Sequence, residues 1–255
     1  MKSVTIAVML LVIVGLTTHV HAATVAAYDF ENGYVNTGTG TVAGQARGGA
    51  GIIFDAGGGL KGASNVLLLD GSGDYVEVGN GDIGGITSVI TVAAWVKSSA
   101  NNWSSHDSIV TRGYNWRLYV SGSKDGTFQA MDTTPSGSKV RGTVDINDEQ
   151  WHHLAGVYDG AFYTFYVDGV QDGAAVAATG PIAQTLSHKF TIGAFESSGA
   201  VSKYYTGLID EVRVYDEALG AADIRALVPE PATIALLLTG GGLLIRRRRR
   251  QEDKK

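Results

Sequence analysis

The sequence predicts an all-β domain of two packed antiparallel sheets, followed by one short C-terminal helix. Three observations predict it. Short segments alternate apolar and polar residues with period two, glycine supplies 35 of 255 residues as punctuation between them, and five Asp-Gly pairs mark junctions. Asp-Gly readily takes the positive φ angles of tight turns. The segments flanking Asp70-Gly71, Asp125-Gly126, Asp159-Gly160, Asp168-Gly169 and Asp172-Gly173 are therefore expected to be antiparallel neighbours.

In chain order, strands are expected at 25–30, 51–55, 66–69, 75–78, 90–97, 116–120, 127–131, 152–158, 162–167, 189–192 and 211–215. In SVITVAAWVK, Ile90, Val92, Ala94 and Val96 share one face, and Thr91, Ala93, Trp95 and Lys97 share the other. In EVRVYD, Val212 and Val214 oppose Glu211, Arg213 and Tyr215. Ten or more short strands imply two sheets packed face to face. Residues 33–62 are the least patterned and read as a long loop around the strand at 51–55. A helix is expected at 217–227, ending before Pro229 because proline disfavours helical geometry in the residue before it. Residues 23–227 read as one domain.

The two ends carry different chemistry. Lys2 precedes a thirteen-residue run from Val4 to Leu16 that is apolar apart from Thr5, and Val20-His21-Ala22 offers a small-residue cleavage site, the pattern of a secretory signal peptide over 1–22. Residues 228–255 contain Pro229-Glu230-Pro231, a fourteen-residue apolar stretch interrupted by three glycines, and five consecutive arginines. Fourteen residues make only a marginal membrane span. Between the ends, residues 23–230 hold 12 Lys and Arg against 23 Asp and Glu, a net of −11. That balance argues against nucleic acid as a partner and leaves carboxylates available for cations. With no cysteine, the domain must stand on burial alone.

The tail resembles the bacterial Pro-Glu-Pro (PEP-CTERM) sorting signals in its motif Pro229, Glu230 and Pro231, its short apolar segment and its arginines 246–250. The resemblance implies cleavage by a membrane-embedded exosortase and a location in the cell envelope or extracellular matrix of an exopolysaccharide-producing bacterium, after transient anchoring in the inner membrane. An uncleaved tail anchor is the alternative. LLLDGSGDYVEV at 67–78, WHHLAGVYDG at 151–160 with FYVDG at 165–169, and GLIDEVRVYDEAL at 207–219 together resemble the laminin-G-like jelly rolls of the concanavalin A-like lectin/glucanase superfamily. ITVAAWVK at 90–97 matches that family's early tryptophan-containing strand. The resemblance implies a jelly-roll sandwich whose members include lectins, adhesion modules, hydrolases and domains without a known ligand.

Three functions compete on the residues. A glycosidase needs two carboxylates flanking the scissile bond, and the Glu-x-Asp-x-x-Glu pattern of the family's glucanases is absent; the nearest group, Asp145, Asp148 and Glu149, reads as a solvated turn. His152 and His153 are adjacent on a strand and point to opposite faces, so they cannot share a site. A carbohydrate-binding or adhesion module, with a matrix polysaccharide or glycoprotein as partner, needs aromatic faces beside polar groups. Trp103, His106, Arg112 and Tyr114 supply both in the expected loop between the Trp95 and Trp116 strands; alternatively Trp103 caps the sandwich and Arg112 pairs with Asp107. Trp95, Trp116 and Trp151 read as core or sheet-face residues. The third function is a ligand-free structural matrix protein. In related jelly rolls an aspartate in the last long strand holds a structural calcium ion, so the resemblance implies a site at Asp210, with Asp29, Glu31 or nearby carbonyls completing it. By alternation Asp210 shares the core-side face of Val212 and Val214. Backbone hydrogen bonds or an arginine partner are the alternative account of Asp210.

Overall fold

The computed structural model describes residues 24–56, 63–79, 83, 85–99, 106–123 and 125–228. The expected signal peptide, Trp103 and the Pro229-Glu230-Pro231 motif lie outside them. The first strands are β1 (Thr24–Tyr28), β2 (Gln45–Arg47), β3 (Gly51–Asp55), β4 (Ser64–Asp70), β5 (Tyr75–Gly79), β6 (Ile90–Ser98), β7 (Ser108–Arg112), β8 (Trp116–Val120) and β9 (Gly126–Ala130). There follow β10 (Val140–Arg141), β11 (Trp151–Tyr158), β12 (Phe162–Val167), β13 (Val170–Gln171), β14 (Val176–Ala177), β15 (Phe190–Ile192), β16 (Phe195–Ser197), β17 (Ala200–Ser202) and β18 (Thr206–Tyr215). One short helix, α1 (Ala221–Ala226), closes the described chain.

The strands form two antiparallel sheets. One has nine strands in the order β13-β12-β11-β6-β18-β4-β3, with β1 added on β18 and β14 on β12. The other has seven, β10-β9-β8-β7-β15-β5-β2, while β16 and β17 form a separate hairpin. The alternation in β6 places Ile90, Val92, Ala94 and Val96 between the sheets, and that in β8 does the same for Trp116, Leu118 and Val120. Burial of such apolar surface, at about 25 cal/mol per Å², holds the layers together. On the far side of the nine-stranded sheet, Ala93, Ala155, Val157, Tyr166 and Tyr215 are covered by Leu219 and by Ile224 of α1. No described helix is long and apolar enough to cross a membrane.

Four expectations change. The region 103–114 is not one loop: β7 runs through it, with all five residues buried. Residues 33–62 contain β2 besides the expected β3. Asp70-Gly71 does not join antiparallel neighbours, because β4 belongs to the nine-stranded sheet and β5 to the other, and neither does Asp172-Gly173, because β13 and β14 both pair with β12 rather than with each other. At Gly71 a Cβ would lie 2.0 Å from Thr206 Oγ1, and Asp70 N donates to Asp74 Oδ2, so the turn is built to cross between layers. Asp210 faces the outside of its sheet rather than the core. It pairs with Trp95, but the register shifts between Asp210 and Arg213, where Glu211 takes φ 48°, and this bulge inverts the faces of Val212 and Val214 relative to Asp210.

Candidate functional site

The alternation that buries Trp116, Leu118 and Val120 turns Arg117 and Tyr119 outward from the seven-stranded sheet. The Arg117 guanidinium lies 4.5 Å from the Tyr119 ring centroid and 5.8 Å from that of Phe195. Its Nη2 and Nε both donate to Gln129 Oε1, at 2.9 and 3.3 Å. Beyond Tyr119, His106 stacks at 5.4 Å with the rings 20° apart. Beyond Phe195, Tyr114 packs edge-on at 4.9 Å and meets His188 at 5.7 Å.

These contacts make a ladder of His106, Tyr119, Arg117, Phe195 and Tyr114. Its ends stand at the two ends of the five-residue β8, which gives it a length of about 17 Å at ~3.4 Å per residue. Tyr119 and Phe195 are the buried rungs, 1% and 8% exposed, whereas Tyr114 is 48% exposed. His106 and Arg117 are half-buried. Phe195 arrives on the β16–β17 hairpin, whose turn takes positive φ at Ser198 (53°) and Gly199 (91°). Glu196 fixes that hairpin by accepting the backbone N–H groups of Lys189, at 2.7 Å, and of Gly199.

Charged side chains flank the ladder on the same face. Glu77 Oε1 receives both Lys189 Nζ at 3.1 Å and Arg47 Nη2 at 3.2 Å. Partial burial would raise the Glu77 pKa, but hydrogen bonds from Lys189 and Arg47 hold it below its ordinary value. On the other flank Arg141 Nε donates to Asp125 Oδ1 at 2.9 Å.

Of the residues expected in a binding loop, the structure brings His106 and Tyr114 into this one ladder. Arg112 is elsewhere: it is 1% exposed and its Nη1 donates to the Ile83 carbonyl at 2.9 Å. The reason is that Arg112 ends a strand buried on both faces. Trp103 lies outside the described residues. The sequence reading missed Arg117, Tyr119 and Phe195, although alternation from Trp116 marks the first two as outward-facing.

The remaining candidates make hydrogen bonds and packing contacts within the fold. Asp145 Oδ1 accepts Asn147 N and Asp148 Oδ1 accepts Gln150 N, each at 2.9 Å. His152 bridges Asp168 at 2.8 Å and Asp148 at 3.1 Å. His153 packs 5.5 Å from Trp95, and burial pushes its pKa down to about 4, so it is neutral. Trp116 is a core residue, and Trp151 Nε1 donates to Asp55. Asp210, 2% exposed, accepts Glu211 N at 2.8 Å and Ser64 Oγ at 3.2 Å. Asp29 accepts Glu31 N at 3.2 Å, and the Glu31 carboxylate lies 3.5 Å from Asn65 Nδ2. Among the described residues no three His, Cys, Asp or Glu side chains gather to hold a metal ion, so Asp210, Asp29 and Glu31 do not form a three-carboxylate cage. A groove of about 390 Å³ opens on the nine-stranded sheet between Leu68, Lys97, Ser98, Glu149, Gly207 and Leu208, apart from the ladder.

No curated protein matches the chain. Among solved structures it is similar to domain 4 of AbnA, an extracellular arabinanase of Geobacillus stearothermophilus, in complex with arabinotriose: 21% identity, TM-score 0.61, covering 82% of this chain and 99% of that one. It is also similar to the binding domain of botulinum neurotoxin serotype D, at 12% identity and TM-score 0.60, over 80% of this chain and 51% of that one. The serotype D ligand-binding domain in complex with N-acetylneuraminic acid gives 13% identity and TM-score 0.57, over 80% and 50% of the two chains. At these identities the likeness is one of fold. A family profile described as the concanavalin A-like lectin/glucanases superfamily, of laminin-G type, matches residues 70–225. That match covers most of both sheets, and with the two-layer antiparallel sandwich it places the chain in the concanavalin A-like lectin/glucanases superfamily.

Proposed function

We propose that the chain is an exported, non-catalytic carbohydrate-binding module of a bacterial envelope or matrix, and that the His106–Tyr114 ladder is its binding face. The ladder carries the reading. It presents a half-exposed tyrosine edge, a histidine ring and a guanidinium plane in one row on buried supports, which suits stacking against sugar rings and donating to hydroxyls. Rigid supports lower the entropic cost of binding. Two proteins of similar fold have been solved with sugars bound, arabinotriose and N-acetylneuraminic acid. Non-catalysis is supported by the missing paired-carboxylate pattern and by the turn roles of Asp145 and Asp148.

A glycan array probed with wild type and Tyr114→Ala tests this. The wild type binds a subset of glycans, and the variant loses at least tenfold in affinity while folding normally. A wild-type protein that binds no glycan overturns the reading and leaves a structural matrix protein.

Export and anchoring enter the same proposal through the two ends of the sequence. A signal peptide over 1–22 directs secretion, and an exosortase recognises Pro229-Glu230-Pro231 with the segment behind it.

For calcium, the donors in place are one buried carboxylate, Asp210, and the Ser64 hydroxyl beside it. This oxygen set suits a hard cation. We propose that Asp210 binds calcium together with backbone carbonyls and that the ion, when bound, braces the bulge in β18.

A further inference from the structure

We infer that the ladder selects acidic polysaccharides, reading a sugar carboxylate with Arg117; this deepens the carbohydrate-binding proposal and rests on it. Among the described residues Arg117 is a cation without a carboxylate partner. Both of its hydrogen bonds go to the neutral amide oxygen of Gln129, and its other contacts are the Tyr119 and Phe195 rings. Among the described residues it forms no ion pair, in contrast to Arg47, Arg141 and Lys189 on the same face. Nε and Nη2 are committed to Gln129, and Nη1 makes no hydrogen bond among the described residues.

The surroundings reinforce the assignment. Glu77 uses a single oxygen, Oε1, to receive both Lys189 and Arg47, so one negative charge meets two positive ones. Asp125 balances Arg141 alone. Glu196 is 2% exposed, and its carboxylate accepts the backbone N–H groups of Lys189 and Gly199. Counting these seven side chains, four cations stand against three carboxylates on this face. Residues 23–230 as a whole carry nearly two carboxylates for every cation. A polyanion is repelled by the average surface and attracted only where that balance reverses. A guanidinium held against two rings and the Gln129 amide is pre-organised for the planar carboxylate of a uronic acid, and charge-assisted hydrogen bonds of this kind are the stronger class.

The experiment compares polygalacturonate with its carboxyl-reduced, neutral counterpart, using the purified full chain and affinity electrophoresis in gels cast with each polymer. The expected result is at least tenfold tighter binding to polygalacturonate, a preference that raised NaCl erodes by screening. Arg117→Gln should abolish the preference, so that the variant binds polygalacturonate no more tightly than it binds the neutral polymer; Arg117→Lys should keep part of the preference. Equal wild-type binding to both polymers overturns the acidic selectivity and leaves carbohydrate binding standing. A preference that Arg117→Gln leaves intact overturns the role of Arg117. Binding to neither polymer, nor to any glycan on the array, overturns the carbohydrate reading and this inference with it. Should Arg117→Gln fail to fold, the wild-type preference and its NaCl dependence still decide whether charge is read.

Discussion

Replacing Gly156 by alanine should destabilise the sandwich more than a single methyl group ordinarily does. Gly156 sits in the middle of β11, paired with Val92 of β6 and Phe165 of β12, and it faces the core between Leu154 and Tyr158. A Cβ there would lie 2.1 Å from Cγ of Phe128, in the opposite sheet, and 2.4 Å from its Cβ. Phe128 has little room to retreat, because its ring packs 6.0 Å from Tyr163, whose hydroxyl donates to the Ala130 carbonyl. Overpacking of this kind costs about 1–3 kcal/mol, and alanine's lower backbone entropy in the unfolded chain returns about 0.5–1 kcal/mol. A net loss of roughly 1 kcal/mol lowers the melting temperature of a domain this size by roughly 2–4 °C. The measurement is thermal unfolding of Gly156→Ala beside Gly51→Ala, whose added methyl group would find its nearest neighbour at 3.7 Å and should be close to neutral. Phe128→Leu combined with Gly156→Ala should recover part of the loss through coupling of neighbouring sites. If Gly156→Ala melts with wild type, the two sheets are not held at the distance described and the packing argument fails.

Further expectations are these. The Asp168 hydrogen bond, working against burial and joined by Asp148, raises the His152 pKa above its ordinary value, so the stability His152 adds is complete below about pH 6.5 and is lost as the pH rises through the raised folded value. His152→Gln should flatten the fall in melting temperature from mildly acidic to mildly alkaline pH, and parallel profiles would refute the bridge. Calcium should raise the melting temperature of the wild type and not of Asp210→Asn, because a ligand of the folded state stabilises it; an unchanged wild type in chelator removes the calcium proposal. Intact mass of the exported protein should correspond to a chain starting near Ala23 and lacking arginines 246–250, and a product that keeps those arginines would favour a tail anchor.

Legibility in the sequence followed alternation of residue type. β6 and β8 emerged directly from ITVAAWVK and WRLYV, although eight of the nine β6 residues are buried. β7 was not readable, since SIVTR carries no polar–apolar alternation to mark it, and all five of its residues are buried. That one omission moved Arg112 from the core to an imagined binding loop. The bulge at Glu211 was equally hidden, because a positive φ on a glutamate leaves no mark in composition, and it reversed the facing of Asp210. Half of the ladder was latent: alternation fixes Arg117 and Tyr119 as outward-facing once Trp116 is core. Phe195 was not, because it reaches them from a distant hairpin.

The sandwich has two outer faces, and the chain treats them differently. Over the nine-stranded sheet, Leu219 and Ile224 close an apolar patch of Ala93, Ala155, Val157, Tyr166 and Tyr215. Thr91 anchors that cover, accepting Leu219 N at 2.9 Å and donating to the Glu217 carbonyl at 2.7 Å. Over the seven-stranded sheet the outward residues include Arg117, Gln129, Glu77, Arg47, Lys189, Arg141 and the ladder rings, groups whose hydrogen-bonding capacity a second apolar cover would leave unmet. Burying one face with its own C-terminal segment supplies stability without cysteine, while polar and aromatic chemistry on the other keeps it suited to a wet, sugar-like ligand. The asymmetry also explains why the half-exposed Tyr114 is tolerated: it rests on Phe195 and His188, so its ring is supported at one edge and available at the other.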